Sequence, residues 1–248
     1  MTAPILQISN VTKTFGGVVA NRDISIDIPR GKITGLIGPN GSGKTTLFNS
    51  IVGHHPIDGG SIRFEGREIS RLSVQQIARR GLLRTFQQTR IYGKMNCLQN
   101  MLISLPHRKA DLLDMFGRYS ARDRERAERL LEFVGLYEKR LMKAGSLSFG
   151  QQKLLEFAMA LMNEPSALLL DEPTAGINPT LINGLIDRLK RANVEYNVTL
   201  VIIEHNMRVI MSMADTIHCL AHGELLASGT PDDVQNDQRV LDAYLGAH

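Results

Sequence analysis

Short apolar runs alternate with turn residues in the first third of the chain, and the same alternation returns in the last third. Runs of this length and composition predict β-strands. The predicted strands lie at residues 5–9, 24–28, 32–37, 61–65, 167–171, 199–203 and 216–220. Turns are predicted at residues 16–17 and 58–60, and a helical pattern at residues 45–52 ends at Gly53. Strands that alternate with helices indicate an α/β core.

The middle of the chain, roughly residues 74–145, has a different character. It is charged, contains few β-branched runs, and shows the spacing of amphipathic helices. In the segment 124–136 the apolar side chains fall on one face, opposite arginines and glutamates; they are Ala127, Leu130, Leu131 and Val134. A capped helix start is predicted later, at Thr230 before Pro231. The helical middle part therefore interrupts an α/β core that resumes after residue 151.

The composition is that of an ordinary globular protein. The 248 residues are 43% hydrophobic and 22% charged, which is typical of soluble domains. The longest aliphatic stretches, such as residues 201–203, have the length of strands, so no membrane-spanning helix is predicted. Residues 1–7 lack the pattern of a secretion signal. Cys97 and Cys219 have no CxxC spacing, which favours reduced thiols in a cytosolic protein.

The net charge of +4 is unevenly distributed along the chain. Between Glu68 and Asp111 there is no acidic residue, whereas basic residues recur: Arg71, Arg79, Arg80, Arg84, Arg90, Lys94, Arg108 and Lys109. A solvated basic face is the simplest interpretation. Only Phe86 and Tyr92 are aromatic in this span, too few for a platform that stacks single-stranded nucleic acid. A membrane-facing or partner-facing surface is the functional alternative.

A glycine-rich segment, Gly-Pro-Asn-Gly-Ser-Gly-Lys-Thr-Thr, lies between a predicted strand and a predicted helix. Such a P-loop binds phosphate, because its glycines let backbone N–H groups approach phosphate oxygens and the helix N-terminus adds positive potential. The spacing predicts that Lys44 lies along the β- and γ-phosphates, that Thr45 ligates Mg²⁺, and that Thr46 reaches the α-phosphate. The predicted nucleotide-binding residues are Gly38, Pro39, Asn40, Gly41, Ser42, Gly43, Lys44, Thr45 and Thr46.

Two adjacent carboxylates, Asp171 and Glu172, end the apolar run that begins at residue 167. Neighbouring side chains on a strand project to opposite sides, so the two groups can serve different atoms. Asp171 is placed to hold Mg²⁺, and Glu172 is then available to orient or deprotonate an attacking water. Taken alone, such a pair is more often a plain strand end.

A third motif, Leu147-Ser148-Phe149-Gly150-Gln151, distinguishes among the many classes of P-loop protein. It lies about a hundred residues after the P-loop and shortly before the two carboxylates, which Pro173-Thr174-Ala175-Gly176 follows. With these motifs in this order, the chain resembles the nucleotide-binding subunit of an ATP-binding cassette (ABC) transporter over nearly its whole length. The resemblance implies an ATP-hydrolysing P-loop NTPase of α/β class. The implied architecture is a RecA-like core with an N-terminal antiparallel β layer and an inserted helical subdomain.

The resemblance also implies where the parts of the chain begin and end. A single ABC ATPase domain would cover residues 4–246, with residues 4–86 and 152–246 forming the core and the β layer. Residues 87–151 would form the helical subdomain, which carries the signature motif Leu147, Ser148, Phe149, Gly150 and Gln151. In the family this motif caps the nucleotide held by the opposite subunit.

Further residues acquire roles only through their order in the motif series. Gln87, in Arg84-Thr85-Phe86-Gln87, matches the Q-loop glutamine, which is implied in catalysis and in the metal site. His205, just after a predicted strand, matches the switch histidine that contacts the γ-phosphate. Phe15 falls where the family places an aromatic side chain that stacks on adenine. A core position on the β layer is the alternative for Phe15.

Two segments depart from the common family pattern. Phe149 stands where most members have glycine, so its ring either tunes the contact with the opposite nucleotide or packs into the helical subdomain. In the D-loop, Ala175-Gly176-Ile177-Asn178-Pro179, Asn178 replaces an aspartate and keeps hydrogen bonding without charge.

The chain resembles the ATPase subunits of branched-chain amino-acid uptake systems in four strings: the D-loop string just given, Phe15-Gly16-Gly17, Arg84-Thr85-Phe86-Gln87 and Ala243-Tyr244-Leu245-Gly246. Relatives of these systems also import amides, urea and aromatic acids. The resemblance implies ATP and Mg²⁺ as ligands, and a dimer with a distinct homologous ATPase chain or with a second copy. The other implied partners are integral membrane permease subunits and, indirectly, a periplasmic solute-binding protein; nucleic acid is not among them. The implied location is the cytoplasmic face of the inner membrane.

Two alternatives stay open beside an importer. An ATPase of a lipid-trafficking or export system shares the same motifs. A soluble, non-transport ABC ATPase is the other alternative. It is disfavoured because such proteins carry two cassettes or a long coiled coil, whereas here only residues 88–146 separate Gln87 from the signature motif.

Overall fold

A computed structural model of the protein describes residues 3–85, 91–105 and 119–245. The chain divides into two compact units. The first unit comprises Met1–Arg84, Ser166–Pro173 and Leu189–His248, and the second comprises Thr85–Pro165 and Thr174–Arg188. The domain limits expected from the sequence, at residues 87 and 151, stay a prediction.

Strands and helices alternate along most of the described chain. The strands are β1 (Leu6–Phe15), β2 (Val18–Ile28), β3 (Ile33–Ile37), β4 (Gly59–Phe64), β5 (Arg67–Glu68), β6 (Leu82–Arg84), β7 (Ala167–Asp171), β8 (Thr199–Ile203), β9 (Thr216–Ala221) and β10 (Glu224–Gly229). The helices are α1 (Lys44–Ile51), α2 (Val74–Ala78), α3 (Cys97–Ile103), α4 (Ala121–Phe133), α5 (Phe149–Leu161), α6 (Pro179–Glu195), α7 (Met207–Met213), α8 (Pro231–Gln235) and α9 (Gln238–Leu245).

All the described strands lie in the first unit, in two sheets. One sheet is antiparallel, with the order β2-β1-β4-β5, and its first hairpin turns at the predicted Gly16-Gly17. The other sheet has the order β10-β9-β3-β8-β7-β6, in which every pair is parallel except β10 with β9. An antiparallel layer beside a mainly parallel sheet is the α/β architecture that the sequence predicted, and this fold class is confirmed.

The central strands of the parallel sheet are buried along their whole length. Every residue of β3, β7 and β8 is buried, as expected for strands that are covered on both faces and therefore consist of continuous apolar runs. Leu36 pairs with Ile203, and Ile203 pairs with Asp171. The segments that follow these three strands consequently start at the same edge of the sheet.

Helix α1 belongs to the core shared by the two sheets. Phe48 and Ile51 are buried together with Ile62 of the antiparallel sheet and Leu169 of the parallel sheet. The chain passes from β3 through the glycine-rich loop directly into α1. Burial of this helix therefore sets the direction in which the loop leaves the sheet.

The second unit is helical in its described part. Helices α3, α4 and α5 contact one another, and the apolar face predicted for α4 is confirmed, because Ala127, Leu130, Leu131 and Val134 are all buried. Ser120 and Asp123 close the N-terminus of α4 with a capping box, which satisfies backbone donors that the first helical turn leaves unpaired.

The sequence predicts some element limits well and one turn wrongly. The predicted strands at 167–171 and 199–203 coincide with β7 and β8. The turn predicted at residues 58–60 is wrong, because Gly59 and Gly60 begin β4. Gly60 has a φ of +83°, and a Cβ atom there would lie 2.3 Å from the Asn10 carbonyl oxygen. Gly60 adopts the positive φ that the shift of register in the β1–β4 pairing requires.

His218 in β9 makes the stability of the fold depend on pH. Its Nδ1 lies 2.8 Å from the Ser228 hydroxyl, and burial lowers the pKa of His218 from 6.5 to about 4. In the unfolded chain His218 is therefore protonated near its ordinary pKa of 6.5, whereas in the folded protein it stays neutral at that pH. Because the pKa of His218 is lower in the folded state, the contribution of the neutral histidine to the free energy of unfolding is complete above about pH 6.5. This contribution decreases as the pH falls towards 4.

We expect the free energy of unfolding to fall by about 2 kcal/mol more between about pH 7 and pH 5 in the wild type than in His218→Gln. Urea denaturation at the two pH values measures this difference. Replacing the exposed His222 by Asn is the matched control and should leave the pH dependence unchanged. Equal pH dependence in wild type and His218→Gln would contradict the prediction.

Candidate nucleotide-binding and catalytic site

The glycine-rich loop, residues 38–43, connects β3 to α1 in the first unit. Gly38 has a φ of +144°, and a Cβ atom there would lie 2.1 Å from the Leu220 carbonyl oxygen. Gly43 has a φ of +97°, and a Cβ atom there would lie 2.4 Å from the Ala20 carbonyl oxygen. Only glycine fits these two positions, so the loop conformation itself requires the motif.

Lys44, the first residue of α1, is buried with 5% of its surface exposed. Its ammonium group donates hydrogen bonds to the carbonyl oxygens of Gly38 at 2.8 Å and Pro39 at 2.9 Å, and it lies 3.3 Å from the Ser42 hydroxyl. Burial lowers the pKa of Lys44, and the carboxylate of Glu172 is among the charges that oppose this shift. The lysine ammonium is thus held by polar groups of its own loop.

The first turn of α1 presents the other predicted phosphate contacts. Thr45 is exposed and Thr46 is half-buried. In the described part of the chain, no side chain caps the N-terminus of this helix. Uncapped N–H groups at a helix N-terminus, with the positive end of the helix dipole, form a ready anion site.

Asp171, at the end of β7, forms a buried ion pair with Arg84 at the end of β6. Arg84 Nη2 lies 2.6 Å from Asp171 Oδ2, and the two side chains are 8% and 3% exposed. The other guanidinium nitrogen of Arg84, Nη1, donates to Asn49 Oδ1 of α1 at 2.5 Å. The guanidinium also lies over the Phe48 ring, 5.6 Å from its centroid. Arg84 therefore ties the acidic strand end to the helix that follows the P-loop.

Glu172 and His205 meet at the carboxyl edge of the parallel sheet. Glu172 Oε1 lies 2.8 Å from His205 Nε2, and the Glu172 N–H donates to the Ile203 carbonyl oxygen at 2.9 Å. A carboxylate can only accept hydrogen bonds, so the imidazole donates through Nε2. Glu172 has a φ of +49°, a left-handed conformation that is costly for a residue with a side chain and is concentrated at functional sites.

The residues present fit a magnesium site that is completed by phosphates. In the described ranges, no group of three or more His, Cys, Asp or Glu side chains could hold a metal by itself. Mg²⁺ is commonly held by one or two carboxylates together with substrate phosphates rather than by a protein cage. The carboxylate of Asp171, one oxygen of which is paired with Arg84, and the hydroxyl of the exposed Thr45 are oxygen ligands of the required kind. Gln87, the other predicted ligand, lies outside the described residues.

Phe15, the predicted adenine platform, lies at the end of β1 with 44% of its surface exposed. Its ring contacts the ring of His55 edge to face, with centroids 5.2 Å apart, and Lys13 Nζ lies 5.2 Å from its centroid. The exposure does not fit the alternative of a buried core phenylalanine. Stacking on adenine stays a prediction.

The signature motif forms the N-terminus of α5 in the second unit. Ser148 is its N-cap: the Ser148 hydroxyl accepts from the Gln151 N–H at 3.4 Å, and Gln151 Oε1 accepts from the Ser148 N–H at 3.2 Å. Leu147 is buried, whereas Ser148 is exposed. The motif is therefore also a capping box, a local role that sequence analysis missed although the Ser-x-x-Gln spacing signals it.

The two departures from the family pattern meet within the second unit. A Cβ atom on Gly176 would lie 2.8 Å from Cε1 of Phe149, so the D-loop glycine leaves room for the signature ring. Phe149 is 45% exposed, hence it is only partly packed against its own unit. Asn178 caps α6, because its Oδ1 accepts from the N–H of Thr180 at 3.1 Å and from the Thr180 hydroxyl at 2.9 Å.

Arg84 is the site residue that sequence analysis missed, since it was noted only in the basic span and in the string before Gln87. The available signal was a charged side chain directly after the apolar Leu82-Leu83. Charged residues are almost never fully buried unless they are paired. A charge at the end of a buried strand therefore indicates a buried partner, which the structure identifies as Asp171.

Three features define the ATP-binding cassette class of P-loop ATPases. They are an antiparallel layer ahead of a P-loop core, a carboxylate–histidine contact at the sheet edge, and a helical segment inserted in sequence between β6 and β7. The profile of the family described as "ABC transporter" matches residues 21–175. The chain belongs to this ABC transporter family. A second profile, described as "Branched-chain amino acid ATP-binding cassette transporter", matches residues 224–248.

Relatives match the chain over almost its full length. The high-affinity branched-chain amino acid transport ATP-binding protein BraF of Pseudomonas aeruginosa is 38% identical, with 99% of each chain covered. LivG of Escherichia coli, which carries the same description, is 35% identical, again with 99% of each chain covered. The crystal structure of an ABC transporter's ATP-binding cassette in its ADP conformation is 33% identical, with a TM-score of 0.88 and 99% and 100% coverage.

Proposed function

We propose that this chain is the ATP-hydrolysing subunit that energises uptake of branched-chain amino acids, or of related small polar solutes, through a membrane importer. The observation that carries the ATPase part is the 2.8 Å contact between Glu172 and His205, at the sheet edge that also bears the P-loop. The two full-length relatives and the profile over residues 224–248 support the solute class.

In the proposed hydrolysis of ATP, each of these side chains has a separate role. The Lys44 ammonium and the first-turn N–H groups of α1 neutralise and orient the phosphates of ATP. Glu172 accepts the proton of a water whose oxygen attacks the γ-phosphorus, while the bond to the ADP oxygen breaks. His205 holds the Glu172 carboxylate in position through Nε2. Mg²⁺, held by Asp171 and Thr45 together with phosphates, would supply charge neutralisation at the phosphate oxygens.

The working unit is a pair of cassettes, in which the signature motif of each faces the P-loop of the other. The second cassette is a related but distinct chain or a second copy of this one. The exposed Ser148 at the N-terminus of α5 supports this arrangement. A helix N-terminus favours the negative charge of a phosphate approaching from outside.

A membrane partner is proposed because the second unit carries exposed apolar side chains near one another. Tyr92, Leu141 and Met142 are 55%, 69% and 43% exposed. The segments that carry them run side by side, because the Gly145 N–H donates to the Gly93 carbonyl oxygen at 3.0 Å and the Cys97 N–H donates to the Met142 carbonyl oxygen at 3.1 Å. Lys94 beside them is exposed; Arg90, also expected here, lies outside the described residues. Within the described ranges, no helix is both long and apolar enough to cross a membrane. We propose that these exposed apolar side chains dock on permease subunits at the cytoplasmic face of the membrane.

Reconstitution tests this function. The cassette is purified with its permease subunits in lipid vesicles, and ATPase activity is measured while the solute-binding protein is loaded with one candidate solute at a time. We expect leucine, isoleucine or valine to stimulate turnover several-fold, with amides, urea and aromatic acids as the comparison set. Full turnover without permease subunits, or stimulation by lipid alone, would favour one of the alternative functions.

A surface variant tests the docking surface in the same assay. Leu141→Glu should weaken co-purification with the permease and abolish stimulation by solute, because it places a charge in an apolar contact. ATP binding by the isolated subunit should stay unchanged. Val194→Glu is the matched control, since Val194 is 78% exposed and lies in the first unit. Equal loss of assembly in both variants would show that Leu141 does not mark the docking surface.

A further inference from the structure

Tyr244, on the last described helix, reaches the first residue of the P-loop. The Gly38 N–H donates a hydrogen bond to the Tyr244 phenolic oxygen at 2.8 Å, across 206 positions of sequence. Both residues belong to the first unit. We propose that Tyr244 is a positioning residue that holds the P-loop in its nucleotide-binding conformation, so that helix α9 is part of the ATP site.

Gly38 is held through both of its backbone polar groups, which belong to two successive peptide groups. Its N–H donates to Tyr244, and its carbonyl oxygen accepts from the Lys44 ammonium at 2.8 Å. A single residue therefore connects the tyrosine hydroxyl to the lysine that contacts phosphate. The close approach of Gly38 to Leu220 leaves the loop little room to shift in that direction.

Helix α9 is anchored well enough to act as a fixed point. Val240 is buried with 2% of its surface exposed, and the helix contacts β10 and α8 of the same unit. Burial raises the pKa of Tyr244 to about 12, so its hydroxyl stays neutral at physiological pH. The phenolic oxygen can therefore accept the Gly38 hydrogen bond throughout the working pH range.

The hydrogen bond from Gly38 to Tyr244, called the tether below, matters more when nucleotide binds. Lys44 here bonds to the carbonyl oxygens of its own loop, and phosphate oxygens compete with these carbonyls for the ammonium group. As Lys44 turns to phosphate, the Gly38 carbonyl oxygen loses its donor, whereas the Gly38 N–H keeps the Tyr244 oxygen as its acceptor. The hydroxyl should thus raise ATP affinity, and by linkage ATP should stabilise α9. The inference deepens the proposed function of the P-loop and rests on it.

Tyr244→Phe tests the tether, because it removes only the hydroxyl. Loss of one neutral hydrogen bond should raise the dissociation constant for a fluorescent ATP analogue about 3–10-fold, with little change in thermal midpoint. Hydrogen exchange gives a second readout: ATP should slow exchange in residues 238–245 of the wild type, and less in the variant. Leu245→Ala is the matched control, since Leu245 is adjacent and 73% exposed.

The outcomes separate the tether from the site itself. If Lys44→Ala binds ATP as tightly as the wild type, the proposed nucleotide site is wrong. If Lys44→Ala loses binding but Tyr244→Phe stays within about twofold of the wild type, the site stands and the tether is wrong. A lower thermal midpoint with unchanged affinity would give Tyr244 a role in fold stability only, and would also overturn the proposal.

Discussion

Glu172→Gln lowers ATP turnover by roughly 10²–10⁴-fold, the range expected for losing a general base. The amide has nearly the same shape as the carboxylate, so the contact with His205 at 2.8 Å can persist through the side-chain oxygen. What the amide lacks is the ability to take the proton of the attacking water. The affinity for ATP should therefore be retained, since Lys44 and the loop are unchanged.

A nucleotide-bound dimer should accumulate in this variant, because closure of the two cassettes no longer leads to hydrolysis and reopening. Gel filtration with ATP measures the dimer, and phosphate release measures turnover. Glu224→Gln makes the same chemical change at a side chain that is 53% exposed, and it should leave turnover unchanged. Near-normal ATPase activity in Glu172→Gln would remove the assignment of Glu172 as the base.

Arg84→Met lowers the free energy of unfolding by about 3–5 kcal/mol, because it leaves the buried carboxylate of Asp171 without its partner. The pair is nearly inaccessible to water, with side chains 8% and 3% exposed and a 2.6 Å contact. Methionine can fill the space over the Phe48 ring but cannot donate to Asn49 or Asp171. Urea denaturation measures the change.

A second substitution separates charge from packing. Adding Asp171→Asn to Arg84→Met removes the unpaired charge and should recover part of the lost stability, since the cost comes largely from that charge. Arg22→Met is the matched control, because its ion pair with Glu224 is 63% and 53% exposed and should contribute less than about 1 kcal/mol. Equal losses at Arg84 and Arg22 would contradict a buried, structurally important pair.

The fold was predictable where the local sequence pattern agrees with the burial that the tertiary structure imposes. Strands β7 and β8 were located to the residue because continuous apolar runs have few alternatives once they are covered on both faces. The turn at residues 58–60 was mispredicted because a glycine pair looks the same in a turn and in a strand irregularity. Only the approach of the Asn10 carbonyl to Gly60 decides between them.

The site was predictable where residue types at fixed spacing carry the chemistry. The P-loop, the Asp171–Glu172 pair and the signature motif are local strings, and their order was sufficient to indicate an ABC ATPase. The role of His205 depended on family order alone, and its contact with Glu172 was not predicted, since nothing in the string around His205 specifies a partner. The structure places these side chains within hydrogen-bond distance, whereas the roles assigned to them stay predictions.

The sequence by itself determined the class of protein, because glycines that admit phosphate and carboxylates at a strand end are properties of short segments. Only the tertiary structure decided which distant groups support them. Arg84 beside Asp171 and Tyr244 beside Gly38 are separated by many residues along the chain. Such pairs form only when strands order themselves in a sheet and a helix packs beside it. No local pattern encodes that arrangement, since burial and partner choice depend on the whole unit.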